Sequence, residues 1–372
     1  MESVSVLFVL PSGGGGGGPN SVAQETMGLA RLGVDARIGV NAPNYGKLLA
    51  SYPELEALKV GVHSYRDPAE LAQHMAPCNV VVATTNASVY DVHEARNRLL
   101  EENRNAQVKY AYYVQDYEPL FYPPDSERWT RAYRSYGLLK DAMLFAKTQW
   151  LCDIVYANHG LRVMKVKPSI DHEVYFPDLR RSDSKLSIVA MLRPSTPRRA
   201  PRRTLRIMKA ISARFGDVSM QVFGSDTAEL ASVGIELPPG IKNWGVLRRS
   251  EVPDLLRSAD MFLDLSDYQA FGRTALESMA CGSIPIVPVL GGTLEYAVHG
   301  RNAFVVDTRS DQMILDAVEI FVSMGMQARG EMRQLALETA AEFTVTKAAL
   351  SELRLFRQLA ADAASGATPQ AA

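Results

Sequence analysis

The stretch MFLDLSDYQAFGRTALESMACGSIPIVP, residues 261–288, shows most clearly which class of fold the chain adopts. An apolar run, MFLDLS, leads into a short polar loop. A helical pattern then begins near Phe271 and Gly272, and a second apolar run, IPIVPV, follows. Strands that are apolar on both faces and joined by a helix lie parallel in a covered sheet. The stretch therefore predicts one strand–helix–strand unit of a parallel sheet.

The same alternation extends along most of the chain. Apolar runs occur first as SVSVLFVL, DARIGV, NVVVATT, VKYAYYVQD, DAMLFAKT and LRVMKVKP, and later as LSIVAML, VSMQVFG, MFLDLS, IPIVPV and AFVVD. Between the two series lies the polar segment PDLRRSDSK, residues 177–185. We therefore predict an α/β fold with two Rossmann-like, doubly wound parallel-sheet domains facing a cleft, at residues 1–177 and 178–344.

Composition excludes several classes of protein. The 372 residues are too many for one hydrophobic core, and a net charge of −1 gives no general attraction to nucleic acid. No apolar run reaches the roughly 20 residues that cross a membrane, and the start, Met-Glu-Ser, lacks the basic leader of a signal peptide. The three cysteines lie far apart in no metal-like spacing, so we expect reduced thiols and no zinc site. A cytoplasmic location follows as an expectation.

Six consecutive glycines, residues 13–18, follow the first apolar run. Such a run is typical of a flexible linker, but this one joins a strand to its own helix rather than one domain to another. We predict that the helix begins with a capping box formed by Ser21 and Gln24, just after Pro19. Glycine lets a backbone pass close to a ligand, so Gly15 and Gly16 are candidate ligand-binding residues. The alternative is a turn in which the glycines serve only the backbone conformation and contact no ligand.

The loop and helix in 266–280 form the second candidate site. The first backbone amides of a helix, here those of Gly272, Arg273 and Thr274, have no carbonyl one turn earlier and suit a diphosphate. Glu277 lies about one turn further along. It is either a solvated helix carboxylate or, because its neighbours are apolar, a buried group that binds something such as a ribose diol.

These residues resemble glycosyltransferase family 4, which has the two-domain GT-B fold. The family carries an acid, a small residue, Phe-Gly, a glutamate eight residues after the acid, and a Met-Ala-x-Gly-x-Pro run. This chain has Gln269-Ala270-Phe271-Gly272, then Glu277, then the run from Met279 to Pro285, with Gln269 in place of the acid. The segments PSIDHEVYFP, GGTLEYAVHGRNAFVV and EFTVTKAALSELRLFRQL resemble further family landmarks.

The resemblance implies a role for several residues. It places Arg193 and Arg198 at the donor diphosphate, where two guanidinium groups bind oxygens bidentately. It also implies that the backbone near Val246 contacts the base, that Phe271 borders the donor, and that Gln269 has the place of a catalytic acid. The glycine run, with Gly15 and Gly16, would face the donor as well. Residues 345–361 would form a helix that crosses back to complete the first domain, and residues 362–372 a disordered tail.

The stretch YAYYVQDYEPLFYP, residues 110–123, predicts the acceptor side. Aromatic faces and hydrogen-bonding side chains together bind sugars, so Tyr113, Gln115 and Glu118 are candidate acceptor-binding residues. Asp116 is the candidate catalytic residue that bonds the acceptor or acts as a base. The alternative is that these aromatic residues belong to the hydrophobic core and that the acidic residues among them bind nothing. With RPSTPRR, this stretch resembles the bacterial surface-glycan rhamnosyltransferases of the WsaF type.

The resemblance implies transfer of a sugar, L-rhamnose on that narrower match, from a nucleotide diphosphate sugar to a glycan hydroxyl. Retention of configuration and independence of any metal or other cofactor are part of that expectation. A nucleotide-sugar 2-epimerase and a non-catalytic glycan- or nucleotide-sugar-binding subunit are the alternatives. A lipid-linked acceptor would bring peripheral contact with the inner face of the membrane, where SERWTRAYRSYGLLK, residues 126–140, offers arginines beside aromatic residues.

Overall fold

The computed structural model describes residues 4–14, 16–178 and 185–364, with side chains as far as residue 361. The chain divides into two compact units, one made of Met1–Ser169 with Val345–Ala372 and one made of Ile170–Thr344. Gly15 and residues 179–184 and 365–372 lie outside the described residues. Each unit has its own hydrophobic core and its own parallel sheet.

The first unit contains a seven-stranded parallel sheet of strand order β3-β2-β1-β4-β5-β6-β7. Its central strands are buried along their whole length because both faces are covered by helices. The strands are β1 Ser5–Leu10, β2 Asp35–Asn41, β3 Gly61–Tyr65, β4 Val80–Ala83, β5 Lys109–Val114, β6 Met143–Ala146 and β7 Val163–Lys165. The helices that alternate with them are α1 Gly17–Arg31, α2 Tyr45–Ser51, α3 Glu54–Ala57, α4 Pro68–Met75, α5 Asn86–Glu102, α6 Glu127–Leu138 and α7 Gln149–His159.

The second unit contains a six-stranded parallel sheet of order β10-β9-β8-β11-β12-β13. Its strands are β8 Ser187–Met191, β9 Ser219–Phe223, β10 Ile241–Asn243, β11 Met261–Leu263, β12 Ile284–Pro288 and β13 Phe304–Val306. Its helices are α8 Pro201–Arg214, α9 Thr227–Ser232, α10 Val252–Ser258, α11 Arg273–Ala280, α12 Asp311–Ser323 and α13 Met326–Ala341. Both sheets are doubly wound, so the predicted fold class is confirmed.

Two strands are absent from the sequence prediction, and both lie at a sheet edge. The missed strand β3 reads GVHSY and is half-exposed over most of its length, and β10 is only three residues long. An edge strand has a neighbour on one side only and needs no long apolar run. Pattern recognition based on continuous apolar runs therefore finds the central strands and misses these two.

The boundary between the units differs from the predicted one. Residues 170–177 belong to the second unit, where the Ile170 amide donates to the Phe343 carbonyl at 3.0 Å and Ile170 pairs with Thr344. The polar segment from Pro177 marks a change of composition but not the change of unit. The boundary lies eight residues earlier, between Ser169 and Ile170.

Helix α14, Val345–Ala364, belongs to the first unit and packs against α1. A side chain at Gly28 would come within 2.9 Å of Val345 Cγ1, so glycine permits this close approach. The helix continues three residues into the predicted tail, and the remaining eight residues of that tail lie outside the described part of the chain.

Charged groups are buried where α14 meets the sheet. Lys147 forms ion pairs with Glu25 of α1 and, at 3.3 Å, with Glu352 of α14. Burial raises the pKa of Glu352 to about 8, with the neighbouring Glu25 carboxylate adding to the rise. The Lys147 ammonium group is therefore the ion-pair partner of two carboxyl groups in the interior of the first unit.

Helix α1 begins earlier than the predicted capping box. Its N-cap is Gly16, so Gly17 and Gly18 form its first turn, and Ser21 already lies inside the helix. The Gln24 amide donates to Ser169 Oγ at 2.9 Å instead of capping the helix. The helix ends at Arg31, and Gly33 follows just beyond its last turn with a φ of +79°.

Among the described residues, the structure contains no helix that is both long enough and apolar enough to cross a lipid bilayer.

Candidate functional site

The second sheet has its topological switch point between β8 and β11. From β8 the chain continues to β9 on one side, whereas β11 lies on the other side. Ligands of open parallel sheets bind outside the carboxyl ends of the strands at such a point. Arg193 follows β8 after one residue, and the loop that leads to α11 follows β11. The switch point therefore brings the predicted donor residues to one edge of the sheet.

Arg193 is held close to the neighbouring strand end. The Leu192 amide donates to the Phe223 carbonyl at 2.8 Å, and Gly224 follows with a φ of +102°. A side chain at Gly224 would lie 2.7 Å from the Leu192 carbonyl oxygen, so only glycine allows β8 and β9 to end this close together.

The guanidinium of Arg193 is half-buried, and burial lowers its pKa. Within the described ranges it forms no ion pair or hydrogen bond, although the Glu229 carboxylate lies near enough to counteract part of the lowering. A partly desolvated cation without a bonded carboxylate is suited to an anionic ligand.

The other arginines of this stretch divide into two groups. Arg198 is half-buried with its guanidinium 5.4 Å from the centre of the Tyr268 ring. Arg202 instead donates to the carbonyls of Val233 and Gly234, and Arg203 to the Leu265 carbonyl and to Asp267. Arg206 forms an ion pair with Asp311. The later arginines thus bond to their own unit, which argues against a nucleic-acid surface.

Helix α11 begins where the sequence predicts. Its N-cap is Gly272, with a φ of +80°, and a side chain there would lie 2.6 Å from the Tyr296 hydroxyl oxygen. That hydroxyl donates to the Gly272 carbonyl at 2.8 Å and fixes the start of the helix. Phe271 packs edge-on against Tyr296, with ring centres 5.6 Å apart. Arg273 and Thr274 are half-exposed in the first turn.

Glu277 is buried in α11, with 4% of its surface exposed, so the interpretation as a solvated helix carboxylate is wrong. The Tyr175 hydroxyl donates a hydrogen bond to it, and the cations of Arg273 and Arg249 lie nearby. Burial outweighs these groups and raises the pKa of Glu277 to about 7. Tyr175 lies in the segment PSIDHEVYFP, which the sequence singled out without assigning this residue.

Gln269 is buried in the loop before α11, with 3% of its surface exposed. Its amide nitrogen donates to the carboxylate of Asp264 and, at 3.2 Å, to Ser266 Oγ. Sequence reasoning missed Asp264, although a carboxylate directly after a buried strand was the available signal. Val246 lies in the loop after β10 and is 68% exposed.

In the first unit the glycine run follows β1, at the switch point between β1 and β4. A side chain at Gly13 would lie 2.5 Å from the Asn44 carbonyl oxygen, and Gly14 has a φ of +135°. At Gly16 the nearest atom would be Pro19 Cδ at 3.7 Å, an ordinary contact. The first two glycines are therefore required by the fold, and Gly16 is not. The predicted donor residue Gly15 lies outside the described residues.

Gln115 and Asp116 lie half-exposed at the end of β5. The Gln115 amide donates to the Thr84 carbonyl at 2.9 Å, and Thr84 Oγ1 donates to the Val9 carbonyl, so these contacts join the ends of β1, β4 and β5. The Asp116 carboxylate accepts from the Tyr117 amide at 2.9 Å.

Two predicted acceptor-binding residues are interior residues of the first unit. The Tyr113 hydroxyl donates to Glu25 at 3.2 Å, and its ring stacks on Phe145 with centres 5.0 Å apart. Glu118 accepts hydrogen bonds from the backbone and side-chain amides of Asn86 at the start of α5. Burial raises the pKa of Glu118 to about 7. Alternation along the strand and the cap of α5 thus direct these two side chains inward, to partners within the first unit.

Comparison with known proteins agrees with this fold. Residues 180–339 match the family described as "Glycosyl transferases group 1". The mannosylfructose-phosphate synthase of Agrobacterium fabrum is 38% identical over 63 residues, which are 17% of this chain and 14% of that protein. The D-inositol 3-phosphate glycosyltransferase of Paenarthrobacter aurescens is 25% identical over 245 residues, 58% of this chain and 57% of that protein. The matches thus span less than two thirds of either relative.

A solved structure extends the likeness in fold to nearly the whole chain. The HepE protein of Anabaena, in complex with UDP and glucose, superposes with a TM-score of 0.76 at 16% identity over 95% of this chain and 99% of that one. The chain therefore has the GT-B fold of two Rossmann-like domains, and its second unit carries the match to the glycosyl transferases group 1 family.

Proposed function

We propose that this protein is a glycosyltransferase that uses a nucleotide diphosphate sugar as donor. One observation carries the proposal: the half-buried Arg193 guanidinium, free of any described carboxylate bond, lies at the switch point of the unit that matches the glycosyl transferases group 1 family. An anionic ligand would complete that site. HepE, whose fold this chain shares, was solved with UDP and with UDP-glucose, which supports a UDP-sugar as the first donor to test.

The donor would bind along the carboxyl edge of the second sheet. Arg193, Arg198 and the first amides of α11 would hold the diphosphate. Glu277, with its pKa near neutrality, would accept a hydrogen bond from the ribose, and the backbone around Val246 would contact the base. The same cations would stabilise the charge that develops on the leaving diphosphate, and this electrostatic contribution is usually the largest in such reactions.

The transfer itself needs one exchange of bonds. The acceptor hydroxyl oxygen forms a bond to the anomeric carbon while the bond from that carbon to the diphosphate oxygen breaks. In our proposal the hydroxyl proton goes to the departing diphosphate on the same face, so that configuration is retained and no metal is required. Asp116 would orient the acceptor, and Gln115 would contact it from the end of β5.

The finer assignments go beyond what the comparisons support. Transfer of L-rhamnose into a bacterial surface glycan rests on the sequence resemblance of residues 110–123 and of RPSTPRR. Peripheral contact with a membrane rests on α6, where Arg128 and Arg134 are exposed or half-exposed beside the half-buried Trp129. Arg131 instead stacks 3.8 Å from the centre of the Tyr90 ring, and Tyr136 is buried, so only part of that surface is available.

Calorimetric titration with UDP, GDP and dTDP, followed by turnover of the matching sugars, tests the proposal. We expect one nucleoside diphosphate to bind and Arg193→Ala to lower kcat/KM by about 100- to 1,000-fold, the usual effect of removing one group that stabilises the leaving charge. Arg206→Ala is the matched control, because Arg206 is exposed and forms its ion pair with Asp311. Equal activity of Arg193→Ala and wild type would refute the diphosphate assignment.

The alternatives give different results in the same experiment. A 2-epimerase would convert the donor alone into an epimer without any acceptor. A non-catalytic subunit would bind a glycan or the nucleotide sugar without turnover. Neither has a specific observation in its favour, although the uncharged Gln269 in place of an acid keeps the second of them open.

A further inference from the structure

Asp264, Ser266 and Gln269 form a buried hydrogen-bonded group in the loop between β11 and α11. The Gln269 amide nitrogen bonds to Asp264 Oδ2, and Ser266 Oγ donates to Asp264 Oδ1 at 2.5 Å. The Asp264 amide itself donates to the Ile286 carbonyl of β12 at 2.9 Å, which holds the carboxylate at the end of the strand.

Chemistry fixes which way the Gln269 amide points. The carboxyl oxygen Oδ2 of Asp264 accepts the hydrogen bond between these two side chains, so the group that faces it is the NH₂ of Gln269. That nitrogen has two hydrogens, and Asp264 and Ser266 take both. The oxygen Oε1 is then the remaining polar atom of the side chain, and no hydrogen bond reaches it from the described residues.

The backbone of Gln269 is fixed as well. Its amide donates to the Leu290 carbonyl at 3.3 Å, and its carbonyl accepts from the Gly292 amide at 2.7 Å. Between these partners Gly291 has a φ of +114°, and any side chain there would collide with the Gln269 carbonyl oxygen. Gln269 thus has little freedom to reorient either its main chain or its amide.

We propose that Asp264 is a positioning residue that turns the Gln269 amide so that Oε1 accepts a hydrogen bond from a hydroxyl of the donor sugar. This assignment rests on the proposed function. It also gives a reason for the amide at position 269: a glutamate there would face the buried Asp264 carboxylate, and two carboxylates in contact cannot both ionise readily. The site accordingly offers an acceptor without a negative charge.

Exchanging the two side chains tests the pairing itself. Asp264→Asn and Gln269→Glu should each lower the melting temperature, the second increasingly as the pH rises, because two carboxylates would then have to ionise side by side. The double variant should melt above the value expected from adding the two losses. In it, the new amide at position 264 can donate to the new carboxylate at position 269 while its oxygen still accepts from Ser266. Strictly additive losses would overturn the pairing.

Titration separates positioning from a merely structural role. With UDP and UDP-glucose, or the GDP or dTDP pair if that is the one that binds, Asp264→Asn should leave the diphosphate affinity unchanged. It should weaken the affinity for the nucleotide sugar by about 5- to 10-fold, the value of one hydrogen bond. Ser266 would keep its hydrogen bond to the oxygen of the new amide at position 264, so the NH₂ of that amide would face Gln269, and Gln269 would then turn its own NH₂ toward the sugar.

Two other results of the titration would each contradict a different part of the proposal. Equal weakening of the diphosphate and of the nucleotide sugar would mean that Asp264 supports the fold only, and this inference would fail while the proposed function stands. If wild type binds none of the three diphosphates, the proposed function is wrong, and so is the contact between Gln269 and the donor sugar. The melting experiment would still test whether Asp264 and Gln269 pair.

Discussion

The two units differ in whether their charged side chains have partners within the protein. At the edge of the second sheet, Arg193 is left without a bonded carboxylate among the described residues, and a helix N-terminus opens beside Gly272. In the first unit, Glu118 is turned inward to cap α5, and Glu25 and Glu352 are paired with Lys147 in the interior. The edge of the second sheet leaves a cation available, whereas the first unit gives these three buried carboxyl groups partners from its own chain.

This difference indicates what each unit can bind. An available guanidinium with helix amides suits a dianionic diphosphate. The first unit leaves Gln115, Asp116 and the loop at Gly16 half-exposed at the corresponding edge, which suits neutral hydroxyl groups. The division of charge thus follows the proposed division between donor and acceptor.

The largest effect is expected from removing the interior cation. Lys147→Met would leave two buried carboxyl groups without their ammonium partner, which typically costs about 3–5 kcal/mol in the free energy of unfolding. Denaturant unfolding measures the loss. By contrast, Arg193→Ala should leave stability nearly unchanged while abolishing most turnover, because the Arg193 side chain bonds to no described group.

Lys140→Met is the control for Lys147, since Lys140 is exposed in the same unit. If Lys147→Met unfolds within about 1 kcal/mol of wild type, the interior ion cluster does not stabilise the first unit, and the contrast between the two units is lost.

The next-largest effects are expected from two neighbouring carboxyl groups, those of Glu118 and Asp116. In the folded protein the Glu118 carboxyl, with a pKa of about 7, stays neutral to higher pH than in the unfolded chain, where it ionises near 4.5. The stability it contributes is therefore fully present below about pH 4.5 and is lost as the pH rises through about 7. Relative to Glu118→Gln, wild type should lose about 3 kcal/mol between those limits, measured as unfolding free energy across pH.

Asp116→Asn should show the opposite behaviour. This side chain is half-exposed, so the variant should keep most of the wild-type stability and lower kcat by at least about tenfold. If Asp116→Asn retains full turnover, Asp116 has no role in the reaction and the acceptor side must be sought elsewhere.

The smallest effect separates two glycines of one run. Gly13→Ala would push a methyl group against the Asn44 carbonyl and should destabilise the first unit by about 1–3 kcal/mol. Gly16→Ala meets no close atom at a φ of −124° and should melt like wild type, yet lower turnover if a ligand approaches that backbone. Thermal melting and kinetics of both variants, side by side, decide whether the run is a spacer or part of the site.

The candidate site could be predicted best where it is local in sequence. Gly272, Glu277 and Gln269 lie within nine residues of one strand–loop–helix unit, so the local pattern and the family resemblance together placed them around the start of α11. Tyr113 and Glu118 were chosen by chemical type, and their direction depends on α1 and α5, which are distant in sequence. Residue type indicates what a side chain can bind but not which way it faces.

The two parallel sheets could be predicted from the amino-acid sequence, because central strands that are covered on both faces need continuous apolar runs. The helix start at Gly272 could be predicted in the same way, from a local pattern. The folded chain was needed to find the edge strands β3 and β10, the boundary at Ile170, the inward turn of Tyr113 and Glu118, and the hydrogen bond between Gln269 and Asp264. These depend on groups brought together from separate elements, and such contacts leave no periodic signal along the chain.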